Sequence, residues 1–150
     1  MKRKRDCVGW RERVDLPELG ISGIRVKVDT GARSSSLHVD SIETYEQDGI
    51  ERVRFSVQLS ADQTPQTCDA AVLDRRDVTD SGGHTSTRIF VSTQLQIGGQ
   101  CYPIEINLAS RQRMLFPMLL GRTALAGRWQ VDPARSFLLS PSGSEAPKKD

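Results

Sequence analysis

The sequence contains no apolar run long enough to cross a membrane as a helix. Such a helix needs roughly 20 consecutive apolar residues, and no segment of the 150 residues approaches that length. The basic stretch Met1 to Arg5 is also not followed by the apolar segment of a signal peptide. We therefore expect a soluble, cytoplasmic protein without a membrane partner.

Cysteine and histidine are scarce, and their spacing is not that of a metal site. The cysteines are Cys7, Cys68 and Cys101, an odd and dispersed set that indicates reduced thiols and not a disulfide framework. The chain has 2 histidines and lacks both His-Glu-x-x-His and Cys-x-x-Cys. It also lacks the Gly-x-x-x-x-Gly-Lys loop that holds nucleotide phosphates. We expect no bound metal and no cofactor.

An excess of one charge sign is missing as well. Lysine and arginine number 21 against 19 acidic residues, which gives a net charge of +2. A dedicated nucleic-acid binder, whose affinity depends on neutralising phosphates, is therefore not expected. The length fits one domain with a single core. We predict a basic arm over residues 1–7, a domain over residues 8–139 and a disordered tail over residues 140–150.

What the sequence does contain is a repeated alternation of apolar and polar residues, which is the pattern of half-buried strands. Four segments follow it: Ile24 to Val28, Val53 to Leu59, Ile89 to Ile97 and Tyr102 to Leu108. Turn-forming residues separate them at Asp48-Gly49, Ser81-Gly82-Gly83 and Gly98-Gly99. The pattern predicts a mainly β fold, built largely from antiparallel hairpins.

One short helix and two more strands are predicted near the end of the domain. The helix spans Arg122 to Ala126, and Gly127 is placed to end it. Trp129 to Val131 and Ser136 to Leu139 then have the apolar content of strands.

The motif Asp29-Thr30-Gly31-Ala32 follows directly on the first predicted strand. Gly31 and Ala32 are small enough to let another backbone come close, and Thr30 can brace the loop by hydrogen bonding. This is a way to hold a carboxylate rigidly at a surface that something else must approach.

A second motif, Leu119-Leu120-Gly121-Arg122, lies about ninety residues later and leads into the short helix. The two motifs, in this order and separation, resemble those of the retropepsin-like aspartic peptidases. The resemblance covers roughly Val8 to Leu139 and implies a closed β-barrel or sandwich with one short C-terminal helix. It also implies site residues: catalytic Asp29; loop-shaping Thr30, Gly31 and Ala32; flap glycines Gly82 and Gly83; and core-supporting Leu120, Gly121 and Arg122.

The segments flanking the first motif resemble a bacterial branch of that family more closely. They read V-G-W-R-E-R-V-D-L-P-E-L-G and K-V-D-T-G-A-R-S-S-S-L-H-V. The branch carries the name ATP-dependent zinc protease and is associated with ATP-grasp ligases that add glutamates to protein tails. The resemblance therefore implies an ATP-grasp ligase as a partner. Because the chain has no phosphate-binding loop, any nucleotide is expected to be handled by that partner.

Peptide hydrolysis by carboxylates requires two of them sharing one proton, one to activate water and one to polarise the carbonyl. Asp80-Ser81-Gly82 is the internal candidate for the second acid, but polar residues precede it and it reads better as a hairpin tip. We expect the second carboxylate to be Asp29 of another copy, in a twofold homodimer.

Arg33 follows the first motif, where viral retropepsins carry acidic residues that hold the substrate main chain. A guanidinium there favours carboxylates, so we expect Arg33, Ser34 and Ser36 to bind an acidic peptide or a glutamate-extended protein tail. The leading hypothesis is an aspartic-type peptidase.

Other interpretations stay open at this point. Asp29 can be a structural carboxylate, and the fold can serve as a module that binds acidic peptides without cleaving them. A metal-dependent hydrolase would need a site assembled from dispersed residues. His38 is more simply a hydrogen-bonded structural histidine, and no Gly-x-Ser-x-Gly elbow supports a serine hydrolase.

Overall fold

The computed structural model of the chain describes residues 6–110 and 115–139. These residues form strands, one 3-10 helix at Pro17–Leu19 and one α-helix, α1, at Arg122–Leu125. The strands are β1 Asp6–Gly9, β2 Arg11–Leu16, β3 Ile21–Val28, β4 Ser35–Val39, β5 Ser41–Gln47, β6 Ile50–Val57, β7 Gln66–Ala71, β8 Asp74–Thr79, β9 Thr85–Ile97, β10 Gln100–Ser110, β11 Met118–Leu120 and β12 Trp129–Asp132.

The largest sheet closes on itself. Its strand order is β10-β4-β11-β3-β2-β9-β8, and β10 also pairs with β9, so six strands form a ring from which β8 projects. A second sheet has the order β5-β6-β7, and β1 pairs with β12 in a third. The mainly β, sandwich-like architecture predicted from the sequence is therefore confirmed.

The core lies inside this ring and under the second sheet, where the apolar residues of the alternating segments meet. In β9, for example, Val91, Leu95 and Ile97 are buried. They join a continuous cluster with Ile24 and Val26 of β3. Burying each such side chain contributes about 1.5–3 kcal/mol relative to leaving it in water, so the period-two pattern is what drives the ring to close.

β11 lies between β3 and β4, the two strands joined by the Asp29 loop. It runs parallel to β3, with Leu120 opposite Val28, and antiparallel to β4, with Leu119 opposite Ser36. β3 and β4 are thus separated by a strand that comes some ninety residues later in the chain. This insertion brings the second sequence motif against the first.

The predicted hairpin turns are present. Asp48 and Gly49 both have positive φ, 54° and 77°, and join β5 to β6. Gly98, with φ of 59°, joins β9 to β10. Most of the strand pairs are antiparallel, as predicted, and three pairs are parallel: β1–β12, β10–β4 and β11–β3.

The predicted strand from Ser136 to Leu139 is wrong, because this segment is assigned to no strand. It lies against the beginning of β2, where the N–H of Phe137 donates to the carbonyl oxygen of Arg11 at 2.9 Å, and Phe137 has a positive φ of 52°. The buried carboxylate of Glu12 accepts hydrogen bonds from the backbone N–H groups of Gly9, Leu138 and Leu139, at 2.7, 2.9 and 3.1 Å. A side chain therefore replaces the partner strand that the segment lacks.

The ends of the chain are described in part. Asp6 and Cys7, which fall in the predicted basic arm, belong to β1. Residues 1–5 of that arm and the predicted tail over residues 140–150 lie outside the described residues, so both stay predictions. In the described ranges, no helix has the length and apolarity needed to span a membrane. Cys7, Cys68 and Cys101 are free thiols.

Candidate active site

The Asp29 loop leaves the sheet at the end of β3. The backbone N–H of Asp29 donates to the carbonyl oxygen of Leu120 in β11, at 2.9 Å. Its carboxylate oxygen Oδ1 accepts the N–H of Gly31 at 3.0 Å. Among the described residues, no hydrogen bond is made to the second oxygen, Oδ2. The half-buried carboxylate is therefore fixed through one oxygen.

Arg122, the first residue of α1, binds the part of the loop that follows Asp29. Its Nη1 donates to the carbonyl oxygen of Thr30 at 3.0 Å, and its backbone N–H donates to the carbonyl oxygen of Ala32 at 2.8 Å. The N–H of Ala32 in turn donates to the carbonyl oxygen of Asp29 at 3.2 Å. The loop is thus held by its own turn and by the helix start.

Gly121 allows the two motifs to touch. A Cβ at this position would lie 2.5 Å from the carbonyl oxygen of Ser34 and 2.9 Å from the carbonyl carbon of Arg33, which is closer than real Cβ atoms approach. The N–H of Gly121 donates to the hydroxyl of Ser35 at 3.0 Å. Glycine is therefore required here by close backbone packing.

A buried polar network lies beneath the serine run. The side-chain amide of Asn107 donates to the carbonyl oxygen of Ser35 at 3.0 Å. Its carbonyl oxygen accepts the hydroxyl of Ser36 and Nη1 of Arg88, both at 3.0 Å. Ser35 and Asn107 are fully buried, and Ser36 nearly so. Because Ser36 is engaged inside the protein, a substrate-binding role for it stays a prediction that the geometry does not favour.

Arg33 and Ser34 lie at an open groove of about 370 Å³. Thr123, Arg76, Phe90 and Glu105 also line it. Arg33 is exposed, and its guanidinium makes no hydrogen bond or ion pair to any described residue. It is thus available to a ligand.

Arg76 is the other guanidinium of the groove and is already committed. It stacks over the ring of Phe90 at 4.3 Å and pairs with Glu105 at 2.9 Å and Asp74 at 2.9 Å. Arg33 is therefore the better placed of the two for recognising an acidic group.

Asp80 lies at the tip of the β8–β9 hairpin. Its Oδ1 accepts the N–H groups of Gly82 and His84, both at 2.9 Å. These backbone hydrogen bonds, that of His84 first, hold the pKa of Asp80 below its ordinary value. The interpretation of Asp80 as a turn residue is confirmed. Gly82 and Gly83 lie in the same exposed tip, where Gly83 has φ of 84°; their role as a flap stays a prediction.

His38 is a structural histidine in β4, as its apolar neighbours indicated. Its Nδ1 lies 3.2 Å from the carbonyl oxygen of Phe116. Burial is the main cause that lowers the pKa of His38. Across residues 6–110 and 115–139, no group of three or more His, Cys, Asp or Glu side chains is arranged to hold a metal ion.

Sequence reasoning missed three residues that shape the site: Ser35, Asn107 and Thr123. Thr123 donates its backbone N–H and its hydroxyl to the carbonyl oxygen of Arg33, each at 3.1 Å. Only Asn107 left a signal in the sequence, as an amide within the apolar run of β10.

An Asp-Thr-Gly-Ala loop braced by an inserted strand and a short helix, within a closed mainly β sheet, defines the retropepsin-like class. Residues 7–141 match the family model RimB-like, described as retropepsin-like aspartic endopeptidase RimB. The chain belongs to the RimB-like family.

Curated relatives of the chain are named for another activity. A protein of Desulfotalea psychrophila, named probable alpha-L-glutamate ligase, is 38% identical over 141 residues, covering 93% of this chain and 30% of that protein. A protein of Parasynechococcus marenigrum with the same name is 39% identical over 134 residues, covering 88% of this chain and 29% of that protein. The chain thus spans about a third or less of the length of these relatives.

A solved structure shares the fold over nearly its whole length. The crystal structure of a Legionella pneumophila protein of unknown function is similar with a TM-score of 0.76 at 28% sequence identity. The similarity covers 91% of this chain and 99% of that chain.

Proposed function

We propose that the protein is an aspartic-type peptidase in which Asp29 activates the attacking water. The observation that carries this proposal is the fixation of Asp29 by Leu120 and Gly31 through its N–H and Oδ1, with Oδ2 left without a hydrogen bond among the described residues. Asp29 and the turn residue Asp80 both use only Oδ1 within their turns, so the feature that sets Asp29 apart is the anchoring of its backbone N–H to β11. Its Oδ2 remains available for water or a second acid.

The reaction requires a second carboxylate close to Asp29. Two like charges in contact cannot both ionise, so one acid holds a proton and polarises the substrate carbonyl while the other takes a proton from water. The pair then titrates as a unit. Since Asp80 is occupied by its own hairpin turn, we assign the second acid to Asp29 of another copy in a twofold homodimer.

We assign acidic peptides or glutamate-extended protein tails as the substrate class. Arg33 supports this, since an exposed guanidinium without a partner among the described residues is suited to paired hydrogen bonds with a carboxylate. The relatives named probable alpha-L-glutamate ligase support it too, because they contain a segment similar to this chain within a longer protein. The same names support our proposal that a glutamate ligase is a functional partner of this protein.

The test is cleavage of a glutamate-rich peptide library by the wild-type protein and by Asp29→Asn, followed by mass spectrometry. We expect Asp29→Asn to lose cleavage by about 10²–10⁴-fold or more, because it removes the general base. Asp48→Asn is the matched control, since it makes the same change in the exposed β5–β6 turn, outside the predicted flap, and it should keep nearly full activity.

Sedimentation of both variants checks that the fold and the homodimer survive the substitution. Retained cleavage by a well-folded Asp29→Asn protein would falsify the assignment. A wild-type protein that binds the peptides but leaves them intact would instead favour the non-catalytic binding module.

A further inference from the structure

The outward face of β2 and β3 concentrates basic side chains in directly opposed pairs. Arg11 lies opposite Lys27, and Arg13 lies opposite Arg25. Like charges facing each other across an antiparallel pair destabilise a sheet. Two successive pairs of this kind therefore need an explanation other than the stability of the fold.

Three of the four basic side chains of this face have no ion-pair partner among the described residues. Among the described residues, Arg13, Arg25 and Lys27 form no ion pair. Nη1 of Arg13 and Nη2 of Arg25 each donate only to a backbone carbonyl oxygen, of Gly23 and Leu115, at 3.3 Å. These two long contacts leave most of each guanidinium fork free.

The single carboxylate on the outward side of β2 is also occupied elsewhere. Asp15 uses its Oδ1 to accept the N–H of Gly23 at 2.7 Å. Among the described residues, Asp15 forms no ion pair with Arg13, Arg25 or Lys27, so three basic side chains outnumber one carboxylate there.

Aromatic rings hold the arginine side chains of this face in place. A guanidinium over a ring is attracted to it and gives up little freedom when it later binds an anion. The ring contacts are Arg11 over Trp10 at 4.7 Å and over Phe137 at 5.1 Å, Arg13 over Phe137 at 5.7 Å, and Arg25 over Phe116 at 5.3 Å. Trp10 and Phe116 meet edge to face at 6.0 Å.

The face leads to the candidate catalytic loop. Lys27 and Arg25 lie on the same side of β3 as each other, two and four residues before Asp29. At about 3.3 Å per residue, successive basic pairs are about 6.6 Å apart along the strand. Alternate side chains of an extended peptide repeat at nearly the same distance.

We propose that this basic face, formed by Arg13, Arg25 and Lys27, binds an acidic stretch of polypeptide in an extended conformation. One carboxylate of the stretch meets Arg13 and Arg25, the next carboxylate on the same side meets Lys27, and the stretch continues toward Asp29. Nucleic acid fits less well, because the rings are covered by guanidinium groups or by each other and do not offer faces on which bases stack. The identification of this stretch as part of a substrate rests on the proposed function, whereas the binding itself does not.

The experiment measures fluorescence anisotropy of labelled hexaglutamate titrated with full-length Asp29→Asn protein, in which binding is separated from cleavage. Adding Arg13→Gln with Arg25→Gln should weaken binding at least 10-fold and reduce its dependence on salt. The matched control adds Arg54→Gln with Arg128→Gln, which removes the same charge. Those arginines also stack on rings, of Tyr45 at 4.7 Å and Tyr102 at 3.8 Å, and binding should change less than twofold.

Lys27→Gln alone, which removes no ring contact, should weaken binding severalfold and guards against a folding defect in the double variant. Equal losses in the test and control pairs would overturn the proposal, and so would tighter binding of a single-stranded RNA of the same length. If hexaglutamate binds as proposed but the wild-type protein cleaves nothing, the peptidase assignment fails and the binding face stands. If the wild-type protein cleaves peptides but the test pair and the control pair bind hexaglutamate equally well, the binding face is refuted and the peptidase assignment stands.

Discussion

Two loops of this protein contain the same local motif, an Asp followed two residues later by Gly, but the two loops are held by different contacts. In both, the Asp accepts the N–H of that glycine through Oδ1, at 3.0 Å for Asp29 and 2.9 Å for Asp80. Beyond this contact they diverge. Asp29 is fastened to β11, whereas Asp80 receives a further N–H from His84 within its own hairpin.

The difference shows that the Asp-x-Gly tripeptide determines only the conformation of the turn. Residues distant in the sequence determine how firmly each Asp is held and which groups it contacts. The Asp80 turn satisfies itself locally and remains exposed. The Asp29 loop is closed by Gly121 and Arg122, which reach it only because β11 lies between β3 and β4. Substitutions made in parallel in the two loops measure how much this bracing contributes.

The largest difference is expected between alanine at Gly121 and alanine at Gly82. At Gly121 the new Cβ would meet backbone atoms of Ser34 at 2.5 and 2.6 Å, so the loop or β11 must move. We expect Gly121→Ala to lower the free energy of unfolding by about 2–3 kcal/mol. At Gly82 the nearest atom is a ring nitrogen of exposed His84 at 3.3 Å, and the loss should stay below about 0.5 kcal/mol.

Urea unfolding followed by tryptophan fluorescence measures both variants. Similar losses in the two proteins would show that the inserted strand packs no more tightly on its loop than the hairpin tip does on itself.

A smaller difference is expected between alanine at Ser35 and alanine at Ser86. Ser35→Ala removes the hydroxyl that accepts the N–H of Gly121 at 3.0 Å in a fully buried position. A buried donor left unpaired costs about 1–3 kcal/mol. Ser86 lies exposed in the hairpin and accepts from Arg88 at 3.3 Å, so Ser86→Ala should cost less than about 0.5 kcal/mol. Thermal unfolding of the two variants measures the difference. An equal decrease in melting temperature would show that the Ser35–Gly121 hydrogen bond does not stabilise the fold.

The smallest effect is expected in the pH dependence of stability, and it comes from the buried histidine His38. Burial lowers the pKa of His38 below its ordinary value of 6.5. As the pH falls below about 6.5, the unfolded chain therefore takes up a proton before the folded protein does, and stability decreases until the lowered pKa is reached. His38→Gln should flatten this part of the stability curve relative to the wild-type protein, because glutamine does not take up a proton in this range.

Urea midpoints measured between pH 7 and pH 5 give the slopes, which are compared as slopes because His38→Gln can also shift the absolute stability. A His38→Gln protein with the wild-type slope would show that His38 does not cause the loss of stability between pH 7 and pH 5.

Local signals in the sequence predicted the hairpin turns and five of the twelve strands that the described residues form, namely β3, β6, β9, β10 and β12. They could do so because alternation and turn residues act over a few positions. The β5–β6 and β9–β10 turns follow directly from Asp48-Gly49 and Gly98-Gly99. The Asp29 loop was predicted as a carboxylate-holding turn for the same reason.

Contacts between distant segments were not predictable in this way. Asn107 supports Ser35 across 72 positions, and Leu138 binds Glu12 across 126. Apolar content made Ser136 to Leu139 look like a strand, but a buried carboxylate supplies its partner instead. The proximity of the two motifs came from their resemblance to a family and not from any periodicity.

The insertion of β11 also sets the order in which this molecule can be completed during synthesis. Residues up to Ser110 emerge from the ribosome before the strand that supplies Leu120 and Gly121. Until then the chain carries its Asp29 turn without the carbonyl that anchors the Asp29 N–H and without the glycine against which the loop packs. A nascent chain therefore contains Asp29 for about ninety residues of synthesis before β11 can anchor its loop, and β12 has still to be added after that.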